Sequence, residues 1–284
     1  MPIHPSAIVE PGARIHASAE IGPFCVVGPK VTIGPGTRLV QGVTIIGRTT
    51  IGARNLIHPG CVIGGDPQDL KFKGEDSTTV IGDENVIREG VTINKGTMSG
   101  GGQTVIGNRN MLMALAHVAH DCVVEDNCIL ANAVLLAGHV RIEDYVGMSA
   151  YVGLHHFVTV GRCAFVGGFS RISVDVPPFM VVAGVPLSIV STNAVGLRRR
   201  GMSDATMLAL REAHRLIWRS GLPKPEAVAL IEQRYPKDPD IRYLLEFMKA
   251  IDGGKNGRAR ESRRASSGFP DPEDDSVKAA EPAP

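Results

Sequence analysis

Bulky aliphatic side chains recur at every sixth residue over most of the chain up to Ile172. The series runs from Ile3 to Ile63, resumes at Ile81, and continues after a shift of phase from Ile106. An α-helix repeats every 3.6 residues or so, so this pattern is not helical. A fixed short repeat of this length predicts a solenoid, and its hexapeptide form predicts a parallel β-helix.

A second regular position lies four residues after each aliphatic, and it usually holds a small side chain such as Ala7 or Cys25. Asparagines take this position at Asn55, Asn85 and Asn110. Because asparagine tolerates left-handed backbone geometry, we expect these three residues at tight corners. Each hexapeptide then forms one strand and one corner, and three of them form a triangular coil of about 18 residues.

Two segments interrupt the repeat, at residues 64–79 and 98–103, and we expect them to form loops at corners of the solenoid. After Pro178 the pattern becomes helical. The predicted helices run from 204 to about 219 after the cap Ser203, from 223 to 233, and from 238 to 251 after the cap Asp238. The sequence therefore predicts an all-β solenoid over residues 1–186 and a small α-helical domain over 187–252. A disordered tail is predicted over 253–284.

Composition excludes few classes of function. The net charge of +1 gives no reason to expect nucleic-acid binding. No run of 18 apolar residues occurs, so we expect no stable membrane insertion. The repeat begins at Ile3 and leaves no room for a signal peptide, which predicts a cytoplasmic location. Four of the five cysteines take the small position of the repeat and are expected to be buried thiols.

The densest group of candidate catalytic side chains lies between His117 and Asp121. One coil after His120 comes Gly138, which we expect to stack beside it at the strand spacing of about 4.8 Å. His139 follows directly. A histidine next to a carboxylate is typical of a general base, and a backbone N–H at Gly138 could stabilise an oxyanion. No serine or cysteine in this group has an evident activating partner.

Several motifs make the chain similar to a known family. They are Q-D-L-K at 68–71, a triple glycine at 100–102, A-H-D-C at 119–122, D-V-P-P at 175–178 and N-A-V-G-L-R-R-R-G at 193–201. Together they resemble the UDP-N-acetylglucosamine 3-O-acyltransferases of lipid A biosynthesis, a family of hexapeptide-repeat acyltransferases. The resemblance covers residues 1 to about 250, and it implies a left-handed parallel β-helix followed by a small α-helical C-terminal domain.

The resemblance also implies roles for individual residues. His120 matches the general base, Asp121 its partner, and Gly138 the oxyanion donor. The residues that match substrate-binding positions fall into three groups. The sugar and acyl site is matched by Gln68, Asp69, Lys71, His117, His139 and His155; the nucleotide site by Asn193, Arg199 and Arg200; and the limit of acyl depth by Gly168. No cofactor and no metal are implied.

The implied reaction transfers an (R)-3-hydroxyacyl chain from acyl carrier protein to the 3-OH of UDP-N-acetylglucosamine. A homotrimer is implied as the active assembly. Two departures from the family pattern, Val195 and Pro186, leave one nucleotide contact and the preferred acyl length open. The sequence also leaves open whether the acceptor is a 3-hydroxyl or a 3-amino group.

Other functions are compatible with parts of the pattern. The related N-acyltransferase of the same pathway, or another hexapeptide acyltransferase, would share the repeat. A three-histidine zinc site, as in the γ-class carbonic anhydrases, would explain the histidines in a different way. A structural hexapeptide protein without activity would have no use for His120, Asp121 and Gly138 in stacked register.

Overall fold

A computed structural model describes residues 3–253, and the predicted tail lies outside this range apart from Gly253. The described part of the chain contains 27 short strands, one 3₁₀ turn at Met98–Gly100 and four α-helices. In chain order the strands are β1 (Ile8–Val9), β2 (Arg14–Ile15), β3 (Glu20–Ile21), β4 (Val26–Val27), β5 (Thr32–Ile33), β6 (Arg38–Leu39), β7 (Thr44–Ile45), β8 (Arg48–Ile51), β9 (Leu56–Ile57), β10 (Val62–Gly65), β11 (Thr78–Ile81), β12 (Val86–Ile87), β13 (Thr92–Asn94), β14 (Gln103–Ile106), β15 (Met111–Leu112), β16 (His117–Val118), β17 (Val123–Val124), β18 (Ile129–Leu130), β19 (Leu135–Leu136), β20 (Arg141–Ile142), β21 (Gly147–Met148), β22 (Gly153–Leu154), β23 (Thr159–Val160), β24 (Phe165–Val166), β25 (Arg171–Ile172), β26 (Met180–Ala183) and β27 (Ser188–Thr192).

From β1 to β25 every third strand pairs in parallel, and with β26 and β27 the three sheets have nine, eight and ten strands. The chain is therefore a left-handed parallel β-helix of triangular section, as the hexapeptide pattern and the resemblance predicted. Within each strand the aliphatic of the repeat points inward: Ile21, Val27 and Ile33 are all at most 2% exposed. The residue before it points outward, so each face carries columns of outward side chains.

The small position of the repeat is buried, but its asparagines do not occupy left-handed corners. The left-handed residues are the ones before them, among them Arg54 (φ 54°) and Glu84 (φ 61°). Asn55, Asn85 and Asn110 point inward instead and form a ladder. The N–H of Asn85 donates to the Asn55 Oδ1 at 2.9 Å, and the N–H of Asn110 donates to the Asn85 Oδ1 at 2.8 Å. The prediction of left-handed asparagines was wrong because the amides satisfy inner backbone groups at the corners.

Two insertions lengthen individual coils. In a regular coil, hydrogen-bonded neighbours of the ladder such as Thr37 and Asn55 are 18 residues apart. The spacing is 30 residues from Asn55 to Asn85, across the first insertion, and 25 from Asn85 to Asn110, across the second. The first insertion follows β10 and returns at β11; the second contains the 3₁₀ turn and returns at β14. Both lie close to where the sequence predicted loops. The register is regular where β11 pairs with β8 and β14, whereas β10 has an irregularity between Ile63 and Gly65, at the start of the first insertion.

Four helices follow the solenoid: α1 (Ala194–Arg199), α2 (Asp204–Trp218), α3 (Lys224–Arg234) and α4 (Pro239–Asp252). The three predicted helices are confirmed as α2, α3 and α4, and Ser203 and Asp238 cap α2 and α4 as expected. The sequence placed the helical part from residue 187, but β27 instead pairs antiparallel with β26 and extends one sheet. The domain division itself stays a prediction.

The described residues form two hydrophobic clusters, one inside the prism and one beneath the helices, and the second also includes Cys163, Phe179 and Met180 of the prism. Arg162 at a prism corner joins them: its guanidinium donates to Asp240 of α4 at 2.8 Å and lies 3.9 Å from the ring centre of Tyr243. Tyr243 in turn donates to Glu143 of the prism. Among residues 3–253, no helix is long and apolar enough to cross a membrane.

We expect Asn85→Ala to lower the free energy of unfolding by about 3 kcal/mol, because it leaves buried backbone groups of neighbouring coils without partners. Asn85 also donates to the Gly107 carbonyl at 2.8 Å, and that bond is lost as well. Urea unfolding at one fixed protein concentration measures the change. Glu10→Ala, on an exposed corner, is the control and should change stability by less than about 0.5 kcal/mol. Equal stability of the two variants would contradict the structural role of the ladder.

Candidate active site

His120 and Asp121 lie on the corner between β16 and β17, and both are buried. Asp121 is the left-handed residue of this corner, with φ 60°, a conformation that short polar side chains tolerate. The His120 Nδ1 lies 2.8 Å from the Asp121 Oδ2. An ionised carboxylate can only accept, so Nδ1 carries the proton and Nε2 is the nitrogen able to take another.

The Asp121 carboxylate is held by more than the histidine. The Thr97 N–H donates to its Oδ1 at 2.9 Å, and the Thr97 hydroxyl donates to its Oδ2 at 2.6 Å. Burial raises the pKa of Asp121, but the hydrogen bonds from His120 and Thr97, with the nearby His139, hold that pKa below its ordinary value. The carboxylate is therefore ionised at neutral pH and can stabilise a protonated His120.

Gly138 stacks beside His120 in the next coil, as the repeat predicted. The N–H of His139 donates to the His120 carbonyl at 3.0 Å, and His117 pairs with Leu135 in the strands just before. A Cβ on Gly138 would lie 2.5 Å from the His120 Cε1 and 2.6 Å from its Nε2. Only glycine fits this close approach. In residues 3–253 no protein oxygen accepts from the Gly138 N–H.

Two further histidines surround this pair. The His139 ring stacks on Phe157 with centroids 4.3 Å apart, and its Nδ1 lies 3.8 Å from the Asp121 Oδ2. The His117 Nδ1 lies 2.7 Å from the Thr92 hydroxyl. Burial, and then the charge of His120, lower the pKa of His117, so His117 is neutral near pH 7.

A cavity of about 470 Å³ opens in front of His120. It contains five of the predicted site residues: Gln68, His117, His120, Gly138 and His155. Its other walls are formed by Ala119, Leu135, Leu136, Ala137, Gly153, Leu154, His156 and Arg171. A lining that combines aliphatic side chains with a few polar ones is typical of a small-molecule site.

Other predicted site residues lie outside this cavity in the single chain. Asp69 and Lys71 belong to the first insertion, where the Asp69 Oδ1 accepts from the Lys71 N–H at 2.9 Å. Gly168 is exposed on a corner, and an added Cβ would lie 3.2 Å from the Ala150 carbonyl oxygen. These roles stay predictions.

Asn193 and the arginines lie at the start of the helical part. The Asn193 side chain caps α1 through Gly196 and donates to the Cys163 carbonyl at 2.9 Å, so both ends of its amide are engaged. Arg200 donates to the Gly196 and Tyr145 carbonyls. Arg199 is exposed at the end of α1. The nucleotide role of these residues stays a prediction.

Metal and thiol chemistry are the alternatives to a histidine base. Ligand atoms of His120, Asp121 and His139 lie within 4.8 Å of one another. The Asp121 Oδ2, however, already accepts from His120 and Thr97, which would have to be displaced by an ion. Cys122 lies beside this group, but burial raises the pKa of its thiol to about 12. Its neutral thiol points into the prism and is no nucleophile.

The sequence reasoning missed four residues that contribute to this site. Arg171 and Phe157 could have been found by adding whole coils to His117 and His139, since strand partners are 18 residues apart. The other two are threonines on either side of the second insertion, Thr97 before it and Thr104 after it. The Thr104 hydroxyl accepts from the Asp121 N–H at 2.8 Å. Thr97 is separated from Asp121 by that insertion, so no periodic signal identified it. Thr104 takes the small position of the repeat one coil before Cys122, so it could have been found by the same repeat arithmetic.

Family models match most of the chain. Residues 175–258 match the model described as Udp N-acetylglucosamine O-acyltransferase, Domain 2. Residues 103–138 match the bacterial transferase hexapeptide model of six repeats, and residues 3–100 match the GMPPB C-terminal domain.

Full-length relatives have the same description. A protein of Anaeromyxobacter sp. (strain Fw109-5), named as an acyl-(acyl carrier protein)–UDP-N-acetylglucosamine O-acyltransferase, is 47% identical over 89% of this chain and 99% of its own. The UDP-N-acetylglucosamine O-acyltransferase structure from Moraxella catarrhalis is 43% identical, with a TM-score of 0.84 over 90% of this chain and 99% of that one. The Arabidopsis UDP-N-acetylglucosamine acyltransferase structure is 33% identical, with a TM-score of 0.77 over 90% and 99% of the two chains.

Proposed function

The chain belongs to the family of acyl-(acyl carrier protein)–UDP-N-acetylglucosamine O-acyltransferases, and we propose that the corner around His120 carries out their reaction. The enzyme transfers an acyl chain from acyl carrier protein to an oxygen of UDP-N-acetylglucosamine, the first step of lipid A biosynthesis. This excludes the inactive structural protein. The family name specifies O-acyl transfer, which also excludes the N-acyltransferase alternative.

The mechanism follows from the two nitrogens of His120. Its Nδ1 proton is directed to the Asp121 Oδ2 at 2.8 Å, so Nε2 accepts the proton of the sugar hydroxyl as the oxygen attacks the thioester carbonyl. Asp121 stabilises the imidazolium that forms. The Gly138 N–H donates to the oxyanion of the tetrahedral intermediate. When the carbon–sulfur bond breaks, His120 returns the proton to the departing thiolate, and no covalent enzyme intermediate forms.

One observation carries this proposal: the His120 ring contacts both the ionised Asp121 and the backbone of Gly138, and His120 and Gly138 line one cavity. Gln68, His117 and His155 line that cavity and are proposed to bind the sugar and the acyl chain. The His139 ring contacts Asp121 and Phe157 and is not among the residues that line the cavity. We further propose that the acyl chain is an (R)-3-hydroxyacyl group and the acceptor the 3-OH.

The active assembly is proposed to be a homotrimer. Along one corner of the prism, Leu115, Tyr151 and Phe169 take equivalent positions, with Ala133 in the coil between Leu115 and Tyr151, and they are 65%, 59% and 76% exposed. The Tyr151 and Phe169 rings stack on each other with centroids 5.1 Å apart. An exposed apolar strip of this kind favours burial against another copy of the chain. A neighbouring copy would also provide a route for Asp69, Lys71, Gly168, Asn193, Arg199 and Arg200 to reach the substrates.

Charge and free thiols support proposals for the docking of acyl carrier protein and for the cellular location. Acyl carrier proteins are acidic, and exposed basic residues such as Arg211 and Arg215 of α2 are proposed to take part in docking. Five buried free thiols support a reducing compartment, and we propose a cytoplasmic location.

We expect His120→Ala to lower the turnover number by about 10²–10⁴-fold, because it removes the proton acceptor. Initial rates with UDP-N-acetylglucosamine and a 3-hydroxyacyl thioester of acyl carrier protein measure the effect. His16→Ala, an exposed histidine on a distant corner, is the matched control and should keep the wild-type rate. The assignment of His120 as general base would be wrong if His120→Ala kept full activity and a chelator abolished wild-type activity. A bound metal would then be the group that activates the hydroxyl.

Light scattering should give a mass three times that of the 30.2 kDa chain. Phe169→Glu should shift that mass toward the monomer, because it places a charge in the apolar strip. Leu208→Glu changes a leucine of α2 that is 62% exposed and lies outside the strip, and it should leave the mass unchanged. A monomer mass for the wild type at assay concentration would refute the trimer.

A further inference from the structure

The second insertion begins directly after Thr97, a buried residue that no sequence pattern distinguishes. Thr97 donates twice to the catalytic carboxylate, from its N–H to the Asp121 Oδ1 at 2.9 Å and from its hydroxyl to the Oδ2 at 2.6 Å. The two bonds reach both oxygens, so they fix the plane of the carboxylate. The Oδ2 that Thr97 contacts is the same atom that accepts from the His120 Nδ1.

The neighbours of the Thr97 hydroxyl determine which group receives its proton. Its oxygen accepts from the Gly100 N–H at 3.1 Å and lies 3.1 Å from the Ser99 hydroxyl. A hydroxyl has one proton, and an ionised carboxylate has none to donate. The Thr97 proton is therefore directed to Asp121, and Ser99 donates to Thr97.

The glycines of the insertion bring the loop onto the carboxylate. A Cβ on Gly100 would lie 2.0 Å from the Asp121 Cγ, so any side chain there would displace the loop. Gly101 and Gly102 have φ values of 108° and 78°, which only glycine adopts readily. As a result the Asp121 side chain is 0% exposed. Its orientation therefore depends on its donors Thr97 and His120.

We propose that Thr97 is a positioning residue for acyl transfer: it fixes the Asp121 carboxylate, and through it the orientation and tautomer of the His120 ring. This inference rests on the proposed role of His120 as base. Thr97 touches neither the cavity nor any reacting atom, so its loss should impair turnover and leave substrate affinity nearly intact. Positioning partners of this kind typically contribute about 10–100-fold where they have been measured in metal sites.

Thr97→Val removes the hydroxyl and keeps the shape, whereas Thr97→Ser keeps the hydroxyl. We expect Thr97→Val to lower kcat by about tenfold or more with KM for UDP-N-acetylglucosamine changed by less than about threefold. Thr97→Ser should recover kcat to within about threefold of wild type. Thr79→Val is the matched control, because Thr79 is a fully buried threonine whose hydroxyl has no partner among the described residues. It should keep wild-type kinetics.

A wild-type kcat in Thr97→Val would overturn the inference, and so would a loss that Thr97→Ser does not restore or that appears only in KM. If Thr97→Val does not fold, Thr97→Ala is compared with Thr97→Ser, and wild-type kcat in Thr97→Ala again overturns it. His120→Ala in the same assay separates this inference from the proposed function. Activity of His120→Ala refutes both, whereas its inactivity beside a fully active Thr97→Val refutes only the role of Thr97.

Discussion

The parallel pairing of each coil with the next is the constraint on which the rest of this structure depends. Backbone groups of one coil bond to the coil above, as where the Ile8 N–H donates to the Cys25 carbonyl at 2.8 Å. The interior accepts one aliphatic and one small residue per hexapeptide, so a shift of one residue would turn the aliphatics out to solvent. Register is thus fixed along the prism, and outward residues a whole coil apart must stack. The contact between His120 and Gly138 is one such pair.

Both insertions in the solenoid contribute residues around the corner that carries His120 and Asp121. The first insertion brings Gln68 to the cavity in front of His120. Lys95 holds the base of that loop, with its Nζ 2.9 Å from Asp66 and 4.9 Å from the ring centre of Phe72. The second insertion covers Asp121 through Thr97 and Gly100. The solenoid provides rigid spacing, while the loops provide the groups that a period of six cannot place.

This division explains which features the sequence could predict. The period of six predicted the prism and the stacking of Gly138 on His120, and the capping residues Ser203 and Asp238 predicted the starts of α2 and α4. Helix α1 has only six residues, too few for an apolar period to be recognised, and β27 was missed because its pairing is antiparallel. The inward amides of Asn55, Asn85 and Asn110 were misread because the same residue type suits corners and buried ladders. Thr97 was missed because its partner lies across an insertion.

We propose that the close contact between Gly138 and His120 forms the reacting centre, and one pair of variants tests this role. Gly138→Ala places a Cβ within 2.6 Å of the His120 Nε2, whereas Gly28→Ala on a distant coil places one in ordinary contact, 3.5 Å from its nearest neighbours. We expect kcat to fall by about 10²-fold or more in Gly138→Ala, because the added Cβ displaces the His120 ring although the backbone N–H at position 138 is kept. In Gly28→Ala kcat should stay within about threefold of wild type. Both variants should assemble as the wild type does. Near-wild-type kcat in Gly138→Ala would contradict the account.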